Sequence, residues 1–117
     1  MGHVWVEAVI RNPFTGRSAF VKALVDTEAT DTVIPRKIAE ELQLPVTGKS
    51  AVPTVKGSLE LDECIGVMEI AGRRRAVPML ISNEMDFALI GVATLEWLRL
   101  EVDPTTGKLK GSVAFLL

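Results

Sequence analysis

Turns rich in glycine, proline, asparagine and aspartate cut the chain at short intervals into runs of β-branched and aliphatic residues. That cadence leaves room for strands and brief helices and for little else. His3-Val4-Trp5-Val6-Glu7-Ala8-Val9-Ile10 alternates roughly and predicts a strand. Asn12 to Gly16 predicts a turn, and Ser18 to Val25 a second strand that pairs with the first. A polar stretch, Asp26 to Thr32, leads to the apolar stub Val33-Ile34 and to Pro35, a residue tolerated at a first helical position. Ile38, Ala39 and Leu42 share one helical face, so a helix is expected from Pro35 to Leu44, stopped by Pro45.

Residues 46 to 81 read as β throughout. The expected strands are Val52–Val55, Leu59–Ile70 and Ala76–Ile81, with hairpin turns at Lys56-Gly57 and Ala71-Gly72 and a bulge or kink at Gly66. Phe87 to Gly91 predicts a buried strand, and Val92 to Leu98 a short helix with Leu95 and Leu98 on its apolar face. Trp97 adjoins that face and reads as a core or interface residue. Asp103 to Gly107 predicts a turn and Lys108 to Leu117 a closing strand, whose apolar end Val113–Leu117 needs a partner. With no internal repeat, linker or low-complexity segment, residues 1–117 are expected to form a single mostly-β domain.

Composition narrows the chemistry. At 12.7 kDa the chain is large enough for one ordinary core. A net charge of −2 gives no global field for nucleic acid or an anionic membrane, so neither is expected as a partner. Arg73-Arg74-Arg75 is basic but abuts a turn and lacks interleaved aromatics, which suits a solvated hairpin flank. No apolar run nears the ~20 residues of a membrane span. The N-terminus lacks the basic-then-apolar layout of a secretion signal, so a cytoplasmic location is expected. The single cysteine, Cys64, excludes an intrachain disulfide, and the single histidine, His3, sits beside the N-terminus. A zinc site of Cys and His has too few ligands, a histidine-dependent triad would have to recruit His3, which reads as a terminal residue, and neither metal nor cofactor is expected. Carboxylates and hydroxyls remain as the candidates for chemistry.

An Asp-Thr pair at a strand end is a weak signal alone, because aspartate caps many turns. Here it stands in a longer order. Ala23-Leu24-Val25-Asp26-Thr27-Glu28-Ala29-Thr30 precedes Val33-Ile34-Pro35 and a helix, and Phe87-Ala88-Leu89-Ile90-Gly91 later opens a second helix. This order resembles the retropepsin-like aspartic proteases, the single-domain family of the retroviral proteases and their prokaryotic relatives. The likeness covers roughly residues 4 to 104. Leu100-Glu101-Val102-Asp103-Pro104 and Thr106-Gly107-Lys108-Leu109 look like the tail of the prokaryotic members.

The resemblance implies a closed, barrel-like β lobe with one flap hairpin, working as a two-fold symmetric homodimer. It makes Asp26 the catalytic aspartate and Thr27 the residue that braces the partner's loop. It places Glu28, Ala29, Thr30, Ile34, Leu89 and Ile90 around substrate, with Val33 as a further pocket residue. It puts a mobile flap at Val55, Lys56, Gly57 and Ser58. The implied partner is a peptide or protein substrate. In the retroviral branch terminal strands interleave between subunits; the apolar end Val113–Leu117 either does the same or pairs within its own chain.

One position departs from the family pattern. Glu28 stands where the motif has glycine, a residue whose missing Cβ lets the substrate backbone approach. Three explanations stay open: a substitution in an otherwise active protease, a natural member that has lost activity and binds peptides or proteins instead, or a residue that tunes a working site. Two copies of Asp26 and Glu28 around one axis would crowd four carboxylates together, raising some of their pKa values and weakening dimerisation toward neutral pH. An oxygen-rich cation site from the same residues is a lesser alternative, since calcium-loop spacing is missing.

Overall fold

The structure, a computed structural model, describes residues 3–112. Its elements in chain order are strands β1 (His3–Arg11), β2 (Ser18–Asp26) and β3 (Val33–Pro35), helix α1 (Arg36–Glu41), strands β4 (Val46–Thr54), β5 (Gly57–Ile70), β6 (Arg73–Ser82) and β7 (Ala88–Ile90), helix α2 (Val92–Leu98), and strands β8 (Leu100–Val102) and β9 (Leu109–Gly111). The large sheet runs β1-β2-β7-β3-β6-β5-β4, and an added β1–β5 pairing closes six of its strands into a barrel. β4 lies outside that ring, hydrogen-bonded only to β5 among the described strands. β8 and β9 form a separate two-stranded sheet.

Closure follows from alternation. Along β2 the side chains of Val21, Ala23 and Val25 are buried, whereas Phe20, Lys22, Leu24 and Asp26 point the other way. Ile10, Val25, Ile34, Met68, Ile70, Met79, Ile81 and Ile90 fill the barrel, and Leu42 and Leu95 bring in one helix each. Cys64 is enclosed in this core, and burial pushes its thiol pKa up to about 11, which leaves it inert as a nucleophile at neutral pH.

The first hairpin is tied down by one buried polar residue. Asn12 Oδ1 accepts the backbone N–H groups of Phe14 (2.7 Å) and Thr15 (3.1 Å), and its Nδ2 donates to the Leu42 carbonyl (2.9 Å). One side chain thus satisfies a turn and the open carbonyl end of α1 together.

Several expectations need correction. α1 ends at Glu41 rather than Leu44, and Pro45 is not what stops it. Gln43 takes the left-handed conformation (φ 55°), while N–H groups of Gln43 and Leu44 return to the carbonyls of Glu40 (3.0 Å) and Ala39 (2.9 Å). That pattern terminates the helix through its own backbone. β5 runs past Gly66 without a bulge, in continuous register with β6. A Cβ at Gly66 would meet the flexible end of the Met79 side chain in the core. The irregularity lies instead opposite, between Val46 and Gly48 of β4. Trp97 is half-exposed, under the Arg75 guanidinium at 5.1 Å from its ring centre, rather than in the core. Arg73 to Arg75 do flank a hairpin in solvent, but Arg73 also donates to the carbonyls of Leu98 (3.4 Å) and Arg99 (2.5 Å) at the end of α2. The closing strand is described only as β9; its expected continuation through Val113–Leu117 lies outside the described residues.

Candidate active site

β2 delivers Asp26 to the rim of the barrel, and the chain then folds back through residues 27–32 before entering β3. Asp26 Oδ1 accepts the Glu28 N–H at 2.9 Å, and its carbonyl accepts the Ala29 N–H at 3.2 Å. The carboxylate is therefore oriented by the backbone of the loop that follows it, a turn that aspartate forms readily.

α2 supplies the other half of the support. Its first turn carries no side-chain cap, so its leading N–H groups need outside acceptors. The loop provides them: Val92 N–H donates to Ala29 O (2.8 Å) and Ala93 N–H to Thr30 O (3.2 Å). Such close approach demands glycine before the helix. A Cβ at Gly91 would collide with the carbonyl oxygens of Thr30 and Asp31. Below, Gly91 N–H donates to Thr32 Oγ1 (3.1 Å), and that hydroxyl lies 2.6 Å from the hydroxyl of Thr94. Parallel pairing of Leu24 with Leu89 and Val25 with Ile90 brings the two separated sequence motifs into one structure.

The expected site residues divide. Asp26, Thr27, Glu28, Ala29 and Thr30 share this one loop, with Glu28 and Thr30 exposed and Asp26, Thr27 and Ala29 partly so. Leu89 lies partly exposed beside Leu24, on the face of β2 that carries Asp26. Ile34 and Ile90 do not line any groove: both are fully enclosed, because alternation along β3 and β7 turns them inward while Val33 and Leu89 face out. The outward row crosses four strands, Val33, Leu89, Leu24 and Trp5, one side-chain step from Asp26. Leu24 and Trp5 were not expected there, although the spacing of residues 24 and 26 marks a shared face. Trp5 is half-exposed, meets the Phe87 ring edge-on at 5.2 Å, and carries Lys22 Nζ at 4.7 Å from its ring centre.

Val55, Lys56, Gly57 and Ser58 lie together at the tip of the β4–β5 hairpin, all exposed. The tight turn is Val55-Lys56, one residue earlier than expected, and Gly57 (φ 129°) already pairs with Thr54. Beyond Asp62 no third described strand lies beside the hairpin, since the β5–β6 pairing begins at Asp62–Ile81. Its base is fastened by charge: Asp62 accepts from Lys49 Nζ (2.7 Å) and Arg36 Nη2 (3.0 Å), and Arg36 Nε donates to Asn83 (2.8 Å). Hydrogen bonds from Lys49 and Arg36 hold the Asp62 carboxyl below the usual carboxylate range, and Asp62 in turn raises the Lys49 pKa.

A depression of about 540 Å³ adjoins the Asp26 loop, lined by Thr27, Val92, Leu95, Arg99, Leu100 and Val102 among others. Among the described residues no group of three or more His, Cys, Asp or Glu is arranged to hold a metal ion. No helix among them is long and apolar enough to cross a membrane.

No protein-family model matches this chain, and no curated protein sequence does. Solved structures do. EIAV protease complexed with the inhibitor HBY-793 superimposes with a TM-score of 0.65 at 17% identity, over 82% of this chain and 88% of that one. The simian foamy virus (mac) protease, solved in solution, gives a TM-score of 0.59 at 25% identity, over 81% and 94%. A foamy viral protease-reverse transcriptase in complex with an RNA/DNA hybrid gives 0.58 at 17% identity, over 80% of this chain and 12% of that much longer one. The fold is thus that of the retropepsin-like proteases, a closed six-strand barrel with an outlying flap hairpin. At the coarse level its structural neighbours are aspartic proteases.

Proposed function

We propose that the protein is an aspartic-type endopeptidase whose active site forms between two copies of the chain, each supplying Asp26. The observation that carries this reading is the support of Asp26: a carboxylate at a strand end, turned by the Glu28 N–H, on a loop latched to a glycine-led helix. Such a device holds one carboxylate in place, and peptide hydrolysis needs two. A two-fold axis near Asp26 supplies the second without a second motif. At roughly 3 Å apart the two carboxylates share a proton; the ionised one takes a proton from water while the protonated one polarises the scissile carbonyl.

Substrate is an extended peptide, bound as an added strand between the floor and the hairpin tip at Val55–Ser58. Its apolar side chains meet the row Val33, Leu89, Leu24 and Trp5. Thr27 braces the partner's loop, and no metal or cofactor takes part. The tail motif that ends in β9 supports a place in the prokaryotic branch.

Glu28 favours a second reading. Its side chain is exposed beside Asp26, where it crowds the peptide and adds charge at the axis. A dimer of this fold that binds peptides without cleaving them accounts for that residue. The experiment that separates the two is a fluorogenic peptide library assayed from pH 4 to 7 with the native chain, Asp26→Asn and Glu28→Gly. Cleavage by the native chain, lost in Asp26→Asn, supports the enzyme. A silent native chain with an active Glu28→Gly variant supports the binding module. Silence in all three, with sedimentation as a monomer, removes both readings.

A further inference from the structure

We propose that Thr32 and Thr94 are positioning residues, a buried hydroxyl pair that sets where the Asp26 loop sits on α2; as a catalytic role this rests on the peptidase reading above. The two hydroxyls lie 2.6 Å apart, and their residues are only 2% and 3% exposed. Together with Asn12 they are the buried polar residues among those described. Valine has the shape of threonine without the hydroxyl, so packing alone gives no reason for two hydroxyls in this core. A buried hydroxyl without a partner is costly, and here each one's partner is the other.

The connection to Asp26 runs through the backbone. Thr32 Oγ1 accepts the Gly91 N–H (3.1 Å), and the Thr32 carbonyl accepts the Leu80 N–H (2.8 Å), so one residue joins the loop, the start of α2 and β6. The next two N–H groups, of Val92 and Ala93, hold the loop carbonyls of Ala29 and Thr30. Ala29 N–H then donates to Asp26 O, and Glu28 N–H to Asp26 Oδ1. A shift of Gly91 therefore reaches the carboxylate through four hydrogen bonds, without any residue of the pair touching substrate. Geometry at a shared-proton site is strict, and displacement by about 1 Å costs on the order of 10²-fold in rate.

The test uses Thr32→Val and Thr94→Val, the double variant, and the hydroxyl-retaining Thr32→Ser and Thr94→Ser. Native-state amide exchange is the first measurement. Exchange at Gly91, Val92 and Ala93 is expected to rise about tenfold in each valine variant, against unchanged protection of Val67 and Val77 in the β5–β6 ladder. The serine variants are expected to restore protection, and the double variant to be no worse than the poorer single one, as for groups that act as a unit. Peptide hydrolysis is the second: kcat falls about tenfold with KM within about twofold, and serine rescues it. Unchanged exchange at Gly91, a rise spread evenly over the barrel, or serine variants as impaired as valine ones would overturn the positioning role. Local exchange changes in a chain that cleaves no peptide would uphold the loop–helix coupling and overturn its catalytic role together with the peptidase reading.

Discussion

The floor and the flap are both two-element structures, but they are held in opposite ways. The loop from Asp26 to Thr32 meets α2 through short backbone hydrogen bonds and two buried hydroxyls, with no room for a Cβ at Gly91. Among the described residues the β4–β5 hairpin beyond Asp62 pairs with no third strand, and it is fastened at its base by ion pairs of the exposed Lys49 and the partly exposed Arg36 with Asp62. Buried, fully satisfied networks fix a geometry, whereas surface ion pairs contribute little and leave motion possible. The difference suits a site in which the carboxylate must stay and the cover must open.

Substitutions at each anchor sharpen this contrast. The largest effect is expected from Gly91→Ala, which forces backbone apart where the loop crosses α2. About 2–3 kcal/mol of stability should be lost, measured by urea denaturation, with the loss of any peptidase activity. Asn12→Ala is expected to cost about 1–2 kcal/mol, because the Leu42 carbonyl and the first turn lose their partner while the site itself is untouched. A fall in stability with no change in kcat would mark it as scaffold only.

The smallest effect on stability should come from Asp62→Asn at the base of the hairpin. Here the pH dependence is informative. The Asp62 carboxyl is held low in the folded chain, so its contribution is present above the ordinary carboxylate pKa and is lost as pH falls through the depressed value. Stability of the variant should therefore fall less steeply than that of the native chain below about pH 4. At neutral pH, amides of Ala51 to Glu60 should exchange faster in the variant while those of the Asp26 loop stay protected. Equal loosening of loop and hairpin would break the contrast between them.

Much of this was legible in the residues. The alternation in β1 and β2, the punctuation by Pro and Gly, and the two motifs around Asp26 and Gly91 pointed to the barrel and to the loop that carries Asp26. What escaped had physical reasons. Periodicity over Ile38, Ala39 and Leu42 continues past the end of α1, because a left-handed Gln43 is a backbone choice with no strong side-chain mark. Ile34 and Ile90 carry the same apolar character as Val33 and Leu89, and only the register of β3 and β7 decides which of them face the barrel. Gly66 has the appearance of a bulge, yet β5 and β6 pair across it in unbroken register. The Thr32–Thr94 pair joins residues far apart in the chain, and neither has a sequence context that sets it apart. No part of the sequence order announces that contact.

The central claim is that one chain is half of an active site. It is tested most directly by mixing native and Asp26→Asn chains, after exchange of subunits, and measuring peptide cleavage at fixed total concentration. If each site needs an Asp26 from both chains, activity follows the square of the native fraction, and an equal mixture keeps about a quarter of the native rate. An equal mixture that keeps about half would show that one chain carries the whole site, and would contradict this account.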